Sequence, residues 1–302
     1  MRKVRVRVPA TSANLGPGFD TFGLGLSYAD EHTAEVLPAG SETVVRISGN
    51  GAGELPTDAS NLMAKSVAHV FKRVGREVPP LEIHAHNRIP HGRGMGSSGA
   101  AIVAGVMMAK GLLAGEVELS DQALLDYATE LEGHPDNVAP ALMGGLTIAW
   151  TSENGPRAKK LAVHRSIAPL VLVPDFQVST KLARSLQPDS VPHVDAVFNV
   201  SRSSLLVAAL TQSPDLLFAA TEDKLHQNYR GEAMPRTRDL VAALRAQGFP
   251  SVVSGAGPSI LVLNESSSQR LEAVDYVTEN APDWQRLVLA VDIQGATVEE
   301  VV

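Results

Sequence analysis

Apolar and charged positions alternate from the start of the chain. Val4, Val6 and Val8 sit between Lys3, Arg5 and Arg7, which predicts a strand with one charged face, ending at Pro9. From Ala10 to Leu26 glycines and polar residues follow one another too closely for a core element, so a long loop is expected. Two strands are predicted at Asp30–Leu37 and Glu42–Ile47, joined by a turn at Pro38 and Gly40. After a loop at Asn50–Pro56, Asp58 or Ser60 is placed to cap a helix reaching Val74. Its Leu62, Val67, Val70 and Phe71 recur near helical spacing, and Gly75 is its stop. A strand follows at Leu81–His86, then a glycine-rich stretch, Ile89–Ala101. The run Ala100–Leu113 is apolar all round and predicts a buried helix. Ser120 or Asp121 opens another helix to Leu131, Glu132–Gly145 reads as irregular, and Leu146–Thr151 as a strand.

A polar stretch with Gly155, Pro156, Lys159 and Lys160 is the expected boundary between two domains, 1–157 and 158–302. Beyond it come a strand at Leu170–Val173 and helices at Thr180–Leu186, Asp195–Leu210, Pro214–Leu225 and Thr237–Gln247. Strands at Ser251–Ser254 and Ile260–Leu263 flank the turn Gly255-Ala256-Gly257-Pro258. A helix at Gln269–Asn280 and a last strand at Arg286–Asp292 close the chain. Strands and helices mix without regular alternation, which points to α+β rather than a doubly wound sheet.

The composition narrows the function classes. With 44% hydrophobic and 20% charged residues the 302-residue chain is globular, and its net charge of −7 gives no electrostatic support for nucleic acid or an anionic membrane as partner. Absence of cysteine excludes disulfides, thiolate metal sites and a thiol nucleophile. No signal-peptide apolar region is visible. The longest near-apolar run, Gly99–Ala109, falls short of the roughly 20 residues a bilayer span needs, so a cytoplasmic location is expected.

Candidate chemistry centres on Ile89–Ala101. Its glycines let backbone approach a ligand closely, and its serines can cap the next helix, whose free N–H groups and dipole suit a phosphate. No Gly-Lys pair occurs anywhere in the chain, which removes a Walker-type loop. Gly94-x-Gly96-x-x-Gly99, with Glu116 or Glu118 about 20 residues on, matches a dinucleotide fingerprint by its letters. The helix that follows leads to a second helix instead of a parallel strand, which ranks that reading low. His84 and His86 share a strand face without a third ligand at metal spacing, so they predict no metal site.

Pro90-x-x-x-Gly94-x-Gly96-Ser97-Ser98 resembles the ATP-phosphate loop of the GHMP small-molecule kinases. Three further stretches fall in that family's order: Pro9–Asp20, Glu132-Gly-His-Pro-Asp-Asn-Val-Ala-Pro140 and Ser254-Gly-Ala-Gly-Pro-Ser259. With Ser179-Thr-x-x-Ala-Arg184 and His226-x-x-Tyr-Arg230 they resemble the branch of that family that phosphorylates homoserine. Met95 and Gly99 stand where leucine and alanine are usual.

The resemblance implies a two-domain α+β fold, with a left-handed βαβ unit in the N-terminal domain and a ferredoxin-like C-terminal domain, and ATP between them. It implies transfer of phosphate from ATP to the side-chain hydroxyl of L-homoserine, or of another small alcohol. A non-catalytic or dinucleotide-binding module is the remaining alternative. Nucleotide contacts would come from Pro90, His91, Gly92, Arg93, Gly94, Met95, Gly96, Ser97, Ser98, Gly99 and Ala100, with Asn61 and Thr180. Ser98 and Glu132 would hold Mg²⁺. Asn14, Asp20, His134, Asn137, Arg184, Arg230 and Gly255 would bind the amino acid, with Arg184, Asn137 and Asp136 closest to the chemistry. The hydroxyl's proton would go to the γ-phosphate itself, or else to Asp136. A homodimer is common in the family.

Overall fold

The first strand outruns its expected end. In the computed structural model, which describes residues 2–301 apart from the side chain of Thr180, β1 spans Lys3–Ala13 and pairs antiparallel with β2, Phe22–Val36. Pro9 is tolerated because it lies past the four residues that pair with the neighbouring edge strand and at a register shift between Pro9 and Ala10. The expected loop from Ala10 to Leu26 therefore shrinks to a turn. Its polar residues find tertiary partners: the Thr11 N–H donates to the Met95 carbonyl at 3.1 Å, and the Ser12 hydroxyl meets Ser254 Oγ at 2.9 Å.

The expected hairpin at Pro38 and Gly40 does not form. Strand β3 (Val44–Gly49) runs parallel to β4 (Leu81–Asn87), and β4 lies between β3 and β2. Helix α1 (Leu62–Arg73) makes the crossover that a parallel pair requires. Asn61 caps it, accepting from the Met63 N–H at 2.9 Å. Helix α2 (Ser97–Leu112) is buried all round, as its composition predicts, but its cap is Gly96 in a left-handed conformation, and the serines occupy the first turn. Next comes α3 (Asp121–Glu132), capped by Ser120. The stretch expected to be irregular forms α4 (Pro135–Met143) instead: Pro135 opens it, and Pro140 frees only the Asp136 carbonyl while Val138, Ala139 and Ala141 pack inward.

Strands β5 (Leu146–Ser152) and β6 (Gly155–Leu161) form a hairpin where a polar linker was expected, so the change of sheet comes after Leu161. The second sheet begins with β7 (Ala168–Val173). Helices α5 (Thr180–Ser185) and α6 (His193–Thr211) follow. The expected helix Pro214–Leu225 breaks into a 3-10 turn and the short α7 (Leu217–Ala220), because the Asp223 carboxylate then draws in the N–H groups of Leu225, His226 and Gln227. The remainder is α8 (Gln227–Arg230), α9 (Pro235–Ala246), β8 (Ser251–Val253), β9 (Ile260–Asn264), α10 (Ser267–Asn280) and β10 (Gln285–Val288). Their sheet has the order β10-β7-β9-β8, fourth-first-third-second, which is the ferredoxin-like arrangement. A strand absent from the sequence reading, β11 (Thr297–Glu300), returns to pair with β1 in the first sheet. Among the described residues α6 is the one helix long and apolar enough by composition to cross a membrane. Its Leu206, Ala209 and Leu210 belong to the main core.

That core joins the two halves. It runs from Val4, Val6 and Val8 through α2 to Val171, Leu206, Val252 and Leu261. A smaller core under α9 and α10, with Leu170, Leu240, Phe249 and Trp284, belongs to the second sheet alone.

Candidate active site

The phosphate loop is a backbone cradle. Gly92, Gly94 and Gly96 all have positive φ, near 63°, 69° and 75°. A Cβ on Gly94 would lie 2.2 Å from the Ser254 carbonyl oxygen, and one on Gly96 2.1 Å from Thr11 Oγ1, so no side chain fits. Ser254 Oγ also donates to the Gly94 carbonyl at 2.7 Å, which seats the loop against the Gly255–Pro258 turn. The loop thus ends at the N-terminus of a 16-residue helix with its first N–H groups free for a ligand.

In front of it opens a polar cleft of about 150 Å³. Its wall brings together Asn14, Asp20, Gly92, Gly94, Gly96–Gly99, Glu132, Asp136, Asn137, Arg184, Arg230 and Gly255, residues from both halves of the chain. The other expected residues lie elsewhere. Pro90, Met95 and Ala100 are buried behind the loop, and His134 stands at the N-cap position of α4, without a side-chain capping bond, outside the cleft wall. Arg93 donates to the Pro174 and Asp175 carbonyls and so fastens the loop to the second half. Asn61 and His91 line a neighbouring cavity that shares Ser97 and Ser98 with the cleft. The Thr180 side chain lies outside the described residues.

Two arginines face the carboxylates. Arg230 is 2% exposed; its Nη1 donates to the Gly255 carbonyl at 3.1 Å, and its guanidinium lies over the Phe19 ring at 5.0 Å. The same carbonyl takes a bond from Asn14 Nδ2 at 2.8 Å, while Asn14 Oδ1 accepts from the Asp20 N–H at 3.0 Å. Asn14 and Asp20 hold left-handed backbone conformations, φ 72° and 51°, that asparagine and aspartate tolerate better than most residues. Arg184 reaches Asp20 at 3.5 Å. Phe19 and His226 lie in stretches the sequence singled out but had no role assigned there; their stacked rings (4.9 Å), with His226 Nε2 2.8 Å from the Gly16 carbonyl, brace this turn.

Burial sets the electrostatics. The Asp136 carboxyl is pushed up to about 6 by burial, with the Asp20 charge adding to the rise and Arg184 opposing it. Its Oδ1 has no hydrogen-bond partner. Burial also raises Glu132, against the Ser98 hydroxyl, which donates to Glu132 Oε2 at 3.1 Å. A half-buried carboxylate beside a hydroxyl at the mouth of a phosphate cradle suits a hard divalent cation that keeps phosphate oxygens as its other ligands.

Known proteins resemble this chain over nearly its whole length. The family model described as GHMP kinases N terminal domain matches residues 61–145, and that described as GHMP kinases C terminal matches residues 201–283. The chain is 62% identical to a homoserine kinase of Clavibacter michiganensis, covering 99% of this chain and 95% of the relative. It is 49% identical to one of Streptomyces coelicolor, over 98% and 94%. A crystal structure of homoserine kinase from Cytophaga hutchinsonii superposes with a TM-score of 0.86 at 30% identity, covering 98% and 97% of the two chains. The dinucleotide reading is overturned on the same grounds, since α2 leads into α3 and no parallel strand follows. The chain belongs to the GHMP kinase family, among its homoserine kinases.

Proposed function

We propose that this protein transfers the γ-phosphoryl group of ATP to the side-chain hydroxyl of L-homoserine in the cytoplasm. The observation that carries the reading is the convergence, in one cleft, of the backbone cradle, the carboxyls of Asp20, Glu132 and buried Asp136, and two arginines. A zwitterionic amino acid matches that set. Arg184 and Arg230 take its α-carboxylate, and Asp20 with Asn14 faces its ammonium. Gly94–Ser98 hold the β- and γ-phosphates by their N–H groups, with the α2 dipole behind them. Ser98 and Glu132 would hold Mg²⁺, which when bound neutralises charge on the β- and γ-phosphate oxygens.

In the transfer, the substrate oxygen forms a bond to the γ-phosphorus while the bond from that phosphorus to the bridging oxygen breaks, releasing ADP. The hydroxyl proton passes to Asp136. Asp136 lines the cleft, its buried Oδ1 has no partner and its proton affinity is raised, which favours this carboxylate over the γ-phosphate as acceptor. Asn137, on the same turn of α4, orients the hydroxyl.

The test is ADP release with Mg-ATP over homoserine, mevalonate, galactose and shikimate. Turnover is expected with homoserine alone. Arg184→Met and Arg230→Met should each raise the homoserine KM by tenfold or more, because each removes a charge-assisted bond to the carboxylate. An uncharged alcohol as the best substrate, indifferent to both changes, would refute the assignment.

A further inference from the structure

Beyond Ser97 and Ser98, on the side away from the amino-acid cleft, lies a second cavity of about 270 Å³. Leu55, Pro56, Leu62, Met63 and Ala101 give it apolar walls. His32 of β2 forms part of its inner wall. The strand's alternation settles where that ring points: Glu31 faces outward, while His32 pairs in register with Val6 and Ala85, both core residues. The ring therefore lies on the inner face of the sheet, 2% exposed.

Neither ring nitrogen of His32 has a hydrogen-bond partner, and Nε2 of His91 on the same cavity has none. Buried polar nitrogens are almost always paired, so two orphans on one ring at a cavity wall call for a ligand atom. Burial holds the His32 imidazole well below its ordinary value, at about 4, so it is neutral and offers one acceptor nitrogen and one donor. Beside it is the Asp30 carboxyl, whose Oδ1 takes the Arg88 and Ile89 N–H groups. A wall with an acceptor nitrogen and a carboxylate, between apolar faces, suits a flat base with an exocyclic amino group.

Taking Gly94–Ser98 as the nucleotide's phosphate site, as in the proposed function, we infer that His32 accepts a hydrogen bond from the exocyclic amino group of adenine and thereby reads the base. No other residue of the cavity combines that burial with an entirely unpartnered ring.

Equilibrium binding without homoserine tests this separately from turnover. The wild-type protein is titrated with a non-hydrolysable ATP analogue and with the matching purine riboside triphosphate, which lacks the amino group. The wild type should bind the latter about tenfold more weakly. His32→Leu should weaken the ATP analogue to the same level and bind the two nucleotides alike. His32→Gln, which keeps an acceptor, should restore most of the difference. Equal loss for both nucleotides in His32→Leu, with the wild-type ratio kept, would mean a structural histidine and overturn the inference. If His32→Leu does not fold, the wild-type ratio decides: no preference for the amino-bearing base overturns it. Failure of homoserine turnover with these ratios intact would count against the substrate, not against His32.

Discussion

Asp136 is 2% exposed, lines the cleft and keeps one oxygen without a partner. Its folded-state pKa of about 6 lies above the ordinary value of 3.8, so the folded state holds this proton more tightly than the unfolded chain does. Its contribution to stability is present below about pH 4 and is lost as pH rises through 6. Asp136→Asn should therefore raise Tm by a few degrees at pH 7.5 and by less at pH 4, read by calorimetry. The same change should lower kcat by two or more orders of magnitude with little change in KM. In the wild type kcat/KM should climb with pH through about 6, and the variant should lack that limb. A variant of near-normal kcat would return the proton to the γ-phosphate. In the sequence, Asp136 and Asn137 stood out only through a motif; that both line the cleft depends on the turn of a helix that the two prolines concealed.

Among elements, the phosphate loop and α2 separate glycines that are required from one that is not. Gly96 has φ near 75°, and its missing Cβ would strike Thr11 Oγ1. Gly99 has no positive φ, and a Cβ there would meet the Asn137 carbonyl at an ordinary 3.5 Å. Gly96→Ala should abolish detectable ATP binding. Gly99→Ala should leave ATP affinity within twofold and stabilise α2 by about 0.5–1 kcal/mol, measured by urea unfolding. The loop, α1, α2 and α3 were legible because periodicity and glycines are local signals, although α1 and α2 are capped by Asn61 and Gly96 instead of Asp58 or Ser60 and the loop serines. Helix α4 was not, since Pro135 and Pro140 read as breakers until one is seen to open the helix and the other to lie against Gly23 of β2. Nor was the pairing of β3, which depends on α1 carrying the chain back across the sheet.

At the scale of the whole molecule the two sheets share one apolar interior, and Arg93 fastens the phosphate loop to the second half. Trp150 lies on β5 of the first sheet, and Trp284 in the core under the second. Unfolding in urea should therefore be a single transition in which Trp150→Phe and Trp284→Phe, each reporting through the tryptophan left, give coincident midpoints with far-UV circular dichroism. Separated midpoints would show that the halves unfold independently.

The sequence by itself determined the class of the protein, its phosphate loop and most of its helices, because these follow from periodicity, backbone sterics and short motifs. Tertiary structure alone decided which of those residues meet. Burial put Asp136 and Arg230 in the cleft and left His32 without a partner. The polar end of β1 and the turn after it became ordered because Ser254 and the Gly255 carbonyl, more than two hundred residues away in the chain, supply hydrogen bonds to Ser12 and Asn14. Such contacts join residues with no local relation, so no window of sequence carries them.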